Sequence, residues 1–362
     1  MLNITYDIVG SFLRPKAITD ARAQYNSGEI RLPDLRTVED AAIADLVAKQ
    51  VQHGLSMVTD GEFRRRWWHL DWLKEFDGFT TQHLDKAGNH IELGYIDGKI
   101  SYDPGRHHPE IEAYDFLASE ASKYPGVTAK KCISGPNMIL VDNYLQLGKQ
   151  DLPDYNIDLL IDDIAAAYQA AIKDLYAHGC RYLQIDDTSW TYMIDSNFLA
   201  KIESMGFDKT TVLEWFRVVS TKALEGRPAD MTIATHFCKG NFKGHHLFEG
   251  FYDSVAPVIA QVPYDGFYVE YDDERSGSFE PWAALRGTEA TFVAGLISTK
   301  NSEMETVADI QRRFDEVRSI VGDNIALSPQ CGFASVEEGN SIDEATQWNK
   351  IDLLVEAANA LS

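Results

Sequence analysis

His236 and Cys238 stand two positions apart, and Glu270 and Cys331 follow farther along a chain of 362 residues. An imidazole nitrogen, two thiolates and a carboxylate form a donor set that suits zinc, which takes N, S and O ligands tetrahedrally. On an extended strand end, residues two apart point to the same side, so His236 and Cys238 can share one ion. The same residues also read more plainly, with Cys238 and Cys331 as small buried hydrophobes and Glu270 as a carboxylate at the mouth of the fold. Zinc held by two thiolates and a carboxylate is electron-rich and a weak activator of water. It can still deprotonate an incoming thiol and hold the thiolate as a nucleophile. Alkyl transfer to sulfur, rather than hydrolysis, is the reaction expected of such a site.

Glu62 and Asp186 read as a grip on a cationic substrate group such as an α-amine, whose three N–H donors two carboxylates can share. The alternative for Glu62 is a helix cap, since Asp60-Gly61-Glu62 precedes a helical run. Gly10 and Ser11 offer a backbone N–H and a hydroxyl to a substrate carboxylate, or form a plain turn. Arg64, Arg65 and Arg66, next to Trp67 and Trp68, read as a solvated helix face or as a hold on an anionic donor. The pairs His107-His108 and His245-His246 lack a neighbouring cysteine and are expected at the surface. Cys132 and Cys180 are expected as buried packing residues. No phosphate loop and no dinucleotide fingerprint occurs, so no nucleotide cofactor is expected.

These groups need a scaffold, and the chain alternates short β-rich runs with longer amphipathic stretches, the pattern of a parallel sheet with crossover helices. Eight runs are expected as strands: Thr5–Gly10, Leu55–Thr59, Thr128–Ile133, Tyr182–Ile185, Met231–Thr235, Gly266–Val269, Thr291–Ile297 and Asn324–Leu327. Helical stripes recur at Ile157, Leu160, Ile164, Tyr168, Ala171 and Leu175, at Val307, Ile310, Phe314 and Val317, and at Trp348, Ile351, Val355 and Ala358. Eight strand–helix units predict an α/β protein, a single (β/α)8 TIM barrel filling residues 1–362, over an open sheet with an inserted subdomain. Between the second and third runs, Asp97-Gly98 reads as the turn of a β-hairpin over the barrel mouth. Barrel catalysis is done by groups at the C-terminal ends of the strands. Ser11, Asp60 with Glu62, Gly135, Asp186, His236 with Cys238, Glu270, Lys300 and Cys331 all follow such runs.

Composition narrows the partners. With 33 Lys+Arg against 56 Asp+Glu the net charge is −23, a surface that repels phosphate, so nucleic-acid binding is not expected. A hydrophobic content of 44% supports a large core and argues against disorder. No apolar run reaches membrane-spanning length, and the first residues lack the pattern of a signal peptide. Four cysteines in so long a chain make no disulfide framework. A soluble, cytoplasmic protein is expected.

The same motifs carry a family resemblance. Val9-Gly-Ser-Phe12, Val58-Thr-Asp-Gly-Glu-Phe-Arg-Arg65, Ser134-Gly-Pro136 and Leu183-Gln-Ile-Asp-Asp187 recur in order with Thr235-His-Phe-Cys238, Val269-Glu270 and Ser328-Pro-Gln-Cys-Gly332. Together the chain resembles the catalytic half of cobalamin-independent methionine synthase, in its short, single-barrel branch. The resemblance implies zinc on His236, Cys238, Glu270 and Cys331, homocysteine held by Gly10, Ser11, Glu62 and Asp186, and methyl transfer to its sulfur. It departs from the pattern in three places. There is no room for the second barrel that helps hold the folate polyglutamate in the long enzymes. Lys300 falls where those enzymes carry a proton-donating histidine, which makes it the candidate catalytic acid. Asp142 falls near the place of the tryptophan that stacks on the pterin. The methyl donor is therefore left among methyltetrahydrofolate, a methylcobamide partner protein and another small methyl compound. Alternatives of other kinds are alkyl transfer to a coenzyme thiol, a metal-free porphyrinogen decarboxylase barrel, and a non-catalytic zinc-binding protein.

Overall fold

A computed structural model describes residues 2, 4–86, 89–146, 156–241 and 244–361. Seven parallel strands form one sheet in chain order: β1 (Met57–Val58), β4 (Thr128–Ser134), β5 (Tyr182–Asp186), β6 (Thr232–Phe237), β7 (Gly266–Glu270), β8 (Thr291–Ile297) and β9 (Ile325–Pro329). Between β1 and β4, β2 (Asp77–Lys86) and β3 (Asn89–Ser101) make the expected two-stranded antiparallel excursion. Its turn is not Asp97-Gly98, which lies inside β3. The register between the strands slips there, and Gly78 faces Gly98 and Lys99 at left-handed φ +74°, so this Asp-Gly pair serves a bulge.

The run Thr5–Gly10 does not form a regular strand. One parallel bridge joins Tyr6 to Leu327, with Asp7 N–H on Leu327 O and Leu327 N–H on Thr5 O, both at 3.0 Å. Farther along, the carbonyl of Ile8 takes Lys130 Nζ, and that of Val9 takes Gln184 Nε2 at 2.7 Å. Side chains thus occupy acceptors that a flanking strand would use. The segment still reaches the β1 side, where Thr59 Oγ1 donates to Gly10 O at 2.6 Å and Phe12 N–H to Gly61 O at 3.1 Å.

The helical stripes pack as their spacing requires. In the helix Ile157–Ala177, Asn156 caps the Leu159 N–H at 2.9 Å, and Leu160, Ile164, Tyr168, Ala171 and Leu175 are fully buried. In Val307–Val321, capped by Thr306, the buried stripe is Ile310, Phe314, Val317 and Val321. The helix Glu344–Leu361 buries Trp348, Ile351 and Ala358. Among the described residues no helix is long and apolar enough to cross a membrane.

Strand periodicity then sorts the side chains into layers. Leu2, Val9, Tyr182, Ala234, Tyr268, Val293 and Ala326 form their own buried cluster. Moving two residues at a time from Tyr182 reaches Gln184 and Asp186, from Ala234 reaches His236, and from Tyr268 reaches Glu270. Polar and ligand-capable groups therefore share a face with this apolar cluster and stand at its C-terminal end.

Candidate functional site

His236, expected just beyond its strand, lies within β6, because that strand runs on to Phe237. The imidazole Nδ1 is 3.0 Å from Asp186 Oδ1, while Nε2 is buried without a hydrogen-bond partner. Cys238 follows on the same side, and its sulfur is 3.9 Å from that of Cys331, in the loop after β9. The ligand atoms of His236, Cys238 and Cys331 all lie within 4.8 Å of one another, and all three residues are buried. Two sulfurs beside an unpartnered imidazole nitrogen fit a zinc-type cation, and these three residues are the ones that could hold it. The three side chains also bias one another's protonation. Burial opposes the charge on His236, yet Asp186 and the Cys331 sulfur push its pKa up to about 10. The interaction with Cys238, and then His236, holds Cys331 well below the usual thiol range, whereas the same contact and burial raise Cys238.

Glu270 ends β7 fully buried but outside that 4.8 Å group. Its Oε2 accepts the Lys239 N–H at 2.6 Å and its Oε1 accepts Lys300 Nζ at 2.5 Å. Lys300, the candidate acid, is thus tied to Glu270 and, at 3.3 Å, to Asp272. Burial favours its neutral form, but the two carboxylates outweigh burial and raise its pKa above the ordinary lysine value.

Glu62 and Asp186 do come together, and Cys132 joins them within the same 4.8 Å limit. Glu62 caps no helix. It sits in a turn at φ +57°, with its N–H on Asp60 Oδ1 at 2.8 Å, a left-handed conformation uncommon for a residue with a side chain. Arg65 pairs with its carboxylate. Burial, helped by Asp186 and Asp60 and resisted by Arg65, pushes the Glu62 pKa up to about 7. Gly10 runs beneath this group, where an added Cβ would lie 2.8 Å from both Cys132 Sγ and Glu62 Oε1. Ser11 is buried, and its Oγ accepts the Ala334 N–H at 3.2 Å.

Several expectations change. Cys132 is only half-buried and lines a polar recess with Asp60, Glu62 and Asp186, while Cys180 is fully buried as expected. His108 is a core residue, on Glu75 at 2.7 Å and on the Asp103 carbonyl at 2.8 Å, and stacked on Tyr102. Arg64 ends a turn and Arg65 and Arg66 follow it in irregular chain, not on a helix; Arg64 pairs with Asp40 and Arg65 with Glu62. Asp142 is buried in a π-helical turn, 3.2 Å from His69 Nε2.

A cavity of about 200 Å³ opens over Ser11, Glu62, Asp186, His236, Cys238 and Cys331. Trp67, Trp68, His69, Tyr192 and Phe248 wall it on other sides. Sequence reasoning missed most of this aromatic wall, whose loops lie far apart in the chain. It also missed Gln184, which donates to Asp186 Oδ1 at 2.8 Å and accepts from Lys130 Nζ at 3.2 Å. A glutamine and a lysine inside buried strands were the available signal.

Comparison with known proteins identifies the family. Residues 4–359 match the family described as cobalamin-independent synthase, catalytic domain. The uncharacterized protein YxjG of Bacillus subtilis (strain 168) is 38% identical over 366 residues, covering 98% of this chain and 93% of YxjG. The 5-methyltetrahydropteroyltriglutamate–homocysteine methyltransferase of Ralstonia pickettii (strain 12J) is 23% identical over 329 residues, 90% of this chain but 38% of that enzyme. A solved structure from Listeria monocytogenes, described as a candidate vitamin-B12-independent methionine synthase, superposes with a TM-score of 0.78 at 34% identity, over 99% of this chain and 98% of its own. The chain belongs to the cobalamin-independent synthase catalytic-domain family.

Proposed function

We propose that this protein transfers a methyl group to the sulfur of homocysteine, giving methionine, with zinc on the His236, Cys238 and Cys331 side chains. The observation that carries this reading is the meeting, over one cavity, of that imidazole–dithiol cluster with the Glu62–Asp186 carboxylate pair. A zinc ion bound there supplies the Lewis acidity that keeps an incoming thiol deprotonated at neutral pH. The chain's own residues bind and orient the amino acid. Asp186 Oδ1 is engaged by His236 and Gln184, and in this reading Oδ2 joins the Glu62 carboxylate on the substrate ammonium. The Ser11 oxygen accepts from Ala334, so its own proton is available to the substrate carboxylate beside the Gly10 backbone. The aromatic wall keeps water from the sulfur while the methyl group moves. As the S–CH3 bond forms, the methyl–nitrogen bond of an amine donor breaks and its electron pair stays on nitrogen, which takes up the proton that the thiol gave up on deprotonation. The Ralstonia relative's name supplies the donor to be tried, 5-methyltetrahydropteroyltriglutamate. Within the same reading, residues 1–362 form one domain, and Thr5–Gly10 is the eighth stave of a (β/α)8 barrel, supported by its contacts to both β9 and the β1 side.

The test supplies zinc-loaded protein with homocysteine and the triglutamate donor and measures methionine. Formation that depends on zinc and on Glu62 is the expected result. No methionine from this donor or from a methylcobamide protein, with zinc bound in stoichiometric amount, would overturn the reading.

A further inference from the structure

A nitrogen that loses its methyl group must gain a proton, because an amine anion is a poor leaving group, and a positioned acid supplies that proton best. Lys300 is badly placed to do so. It is held by Glu270 and Asp272, its side chain is 8% exposed, and it does not line the cavity. Of the groups that do, His236, Cys238 and Cys331 form the metal-binding cluster, and Glu62 and Asp186 meet the substrate ammonium in the reading above. Arg65 is paired with Glu62 and stays charged. Among the described lining residues His69 is then the one imidazole, carboxylate or thiol left over.

Its surroundings suit a proton carrier. Nε2 lies 3.2 Å from Asp142 Oδ2, and Nδ1 is buried with no hydrogen-bond partner. Trp68 packs against the ring, with centroids 4.6 Å apart. Asp142 is buried, and β3 passes so close that a Cβ added to Gly94 would lie 2.9 Å from Oδ2. A side chain at position 94 would crowd the carboxylate, and glycine leaves it room beside the imidazole. A carboxylate behind an imidazole orients the ring, so that the other nitrogen can pass a proton outward.

We infer that His69, oriented by Asp142, is the catalytic acid that protonates the nitrogen of an amine methyl donor. The inference rests on the proposed function and names the group that moves its proton. The proton released by the substrate thiol is taken up on the His69 ring. As the S–CH3 bond forms and the methyl–nitrogen bond breaks, the ring gives that proton to the electron pair left on nitrogen and returns to neutral. Asp142 acts through the ring and is a positioning residue.

The experiment gives zinc-loaded protein and homocysteine two donors in turn: 5-methyltetrahydropteroyltriglutamate, whose nitrogen needs a proton, and methyl iodide, whose iodide needs none. Methionine formed in a single turnover is measured by mass spectrometry. His69→Gln is expected to slow transfer from the amine by about 10²–10⁴-fold and transfer from methyl iodide by no more than about threefold. Zinc content and homocysteine affinity should stay at wild-type values, and added imidazole should restore part of the amine-dependent rate in His69→Ala. Asp142→Asn should act in the same direction, slowing the amine reaction by at least about tenfold while sparing methyl iodide. An amine-dependent rate within about threefold of wild type in His69→Gln, or an equal loss with both donors, overturns the inference. Should His69→Gln fail to fold, the donor ratio of Asp142→Asn decides. Wild-type protein that takes its methyl group from methyl iodide or a methylcobamide protein but not from the amine also overturns the inference, and leaves methyl transfer to the thiol standing. No methionine from any of the three, with zinc bound, would remove the proposed function itself.

Discussion

Replacing Glu62 by glutamine keeps the side chain's shape and removes the charge proposed to meet the substrate ammonium. A charge-assisted hydrogen bond of this kind contributes about 1.5–3 kcal/mol. At about 1.4 kcal/mol per tenfold, that is a loss of roughly 10- to 130-fold in homocysteine affinity. Arg65 already neutralises part of the Glu62 charge, so the low end is expected. The pH dependence follows from the direction of the shift. Burial first, then Asp186 and Asp60, raise the Glu62 pKa to about 7, so the carboxylate is ionised above that pH and protonated below it. Amine recognition should therefore be strongest above pH 7 and weaken as the pH falls through it. Calorimetry on zinc-loaded protein can separate this from titration of the thiol by comparing homocysteine with 4-mercaptobutanoate, which lacks only the amine. The ratio of the two affinities should rise between pH 6 and 8 in the wild type and stay flat in Glu62→Gln. Equal binding of both thiols at pH 8 would refute the amine clamp while leaving the metal site untouched.

Cys238→Ser or Cys331→Ser should abolish stoichiometric zinc, read by metal analysis, while circular dichroism stays native, because the apolar layer lies below the sulfurs. Gly332→Ala would put a Cβ 1.9 Å from Ser11 Oγ and 2.9 Å from Ser11 N, so one of two packed loops must move; a loss of about 1–3 kcal/mol in urea unfolding is expected. Lys130→Met leaves Asp7 as a buried charge without its cation, 2.8 Å away in the wild type, and should cost about 3–5 kcal/mol by the same measurement. Asp7→Asn combined with Lys130→Met should recover part of that loss.

Much of this fold could be read from periodicity, because burial on both faces of a parallel sheet and on one face of each crossover helix leaves marks at fixed spacing. The stripes at Leu160–Leu175 and Ile310–Val317 are buried as expected for that reason. Periodicity does not report which hydrogen bonds a segment makes. Thr5–Gly10 has the composition of a strand, but Lys130 and Gln184 take its carbonyls. Asp97-Gly98 has the composition of a turn, but the partner strand, with Gly78 opposite, turns it into a bulge. At the site, the two-residue spacing of His236 and Cys238 and the return of the chain at Cys331 were legible as a donor set. The engagement of Glu270 by Lys300 was not, since an ion pair between two loops depends on side-chain directions that spacing cannot supply. His108 was misread because one of the partners that bury it, Glu75, lies 33 residues back in the chain, where spacing gives no sign of the contact.

The chain of contacts from Lys130 through Gln184 and Asp186 to His236 bears on any attempt to move this chemistry elsewhere. The Asp186 contact occupies Nδ1 of the ring and leaves Nε2 facing the sulfurs, and the Gln184 amide that fixes Asp186 is itself held by Lys130 on its oxygen and by the Val9 carbonyl on its nitrogen. Three adjacent strands therefore contribute to the aim of one nitrogen. Grafting His236, Cys238 and Cys331 onto another parallel sheet would transfer the ligands without their orientation. The smallest transplantable unit includes Lys130 and Gln184, two residues that touch neither metal nor substrate in this reading, together with the Asp7 carboxylate that makes a buried lysine tolerable.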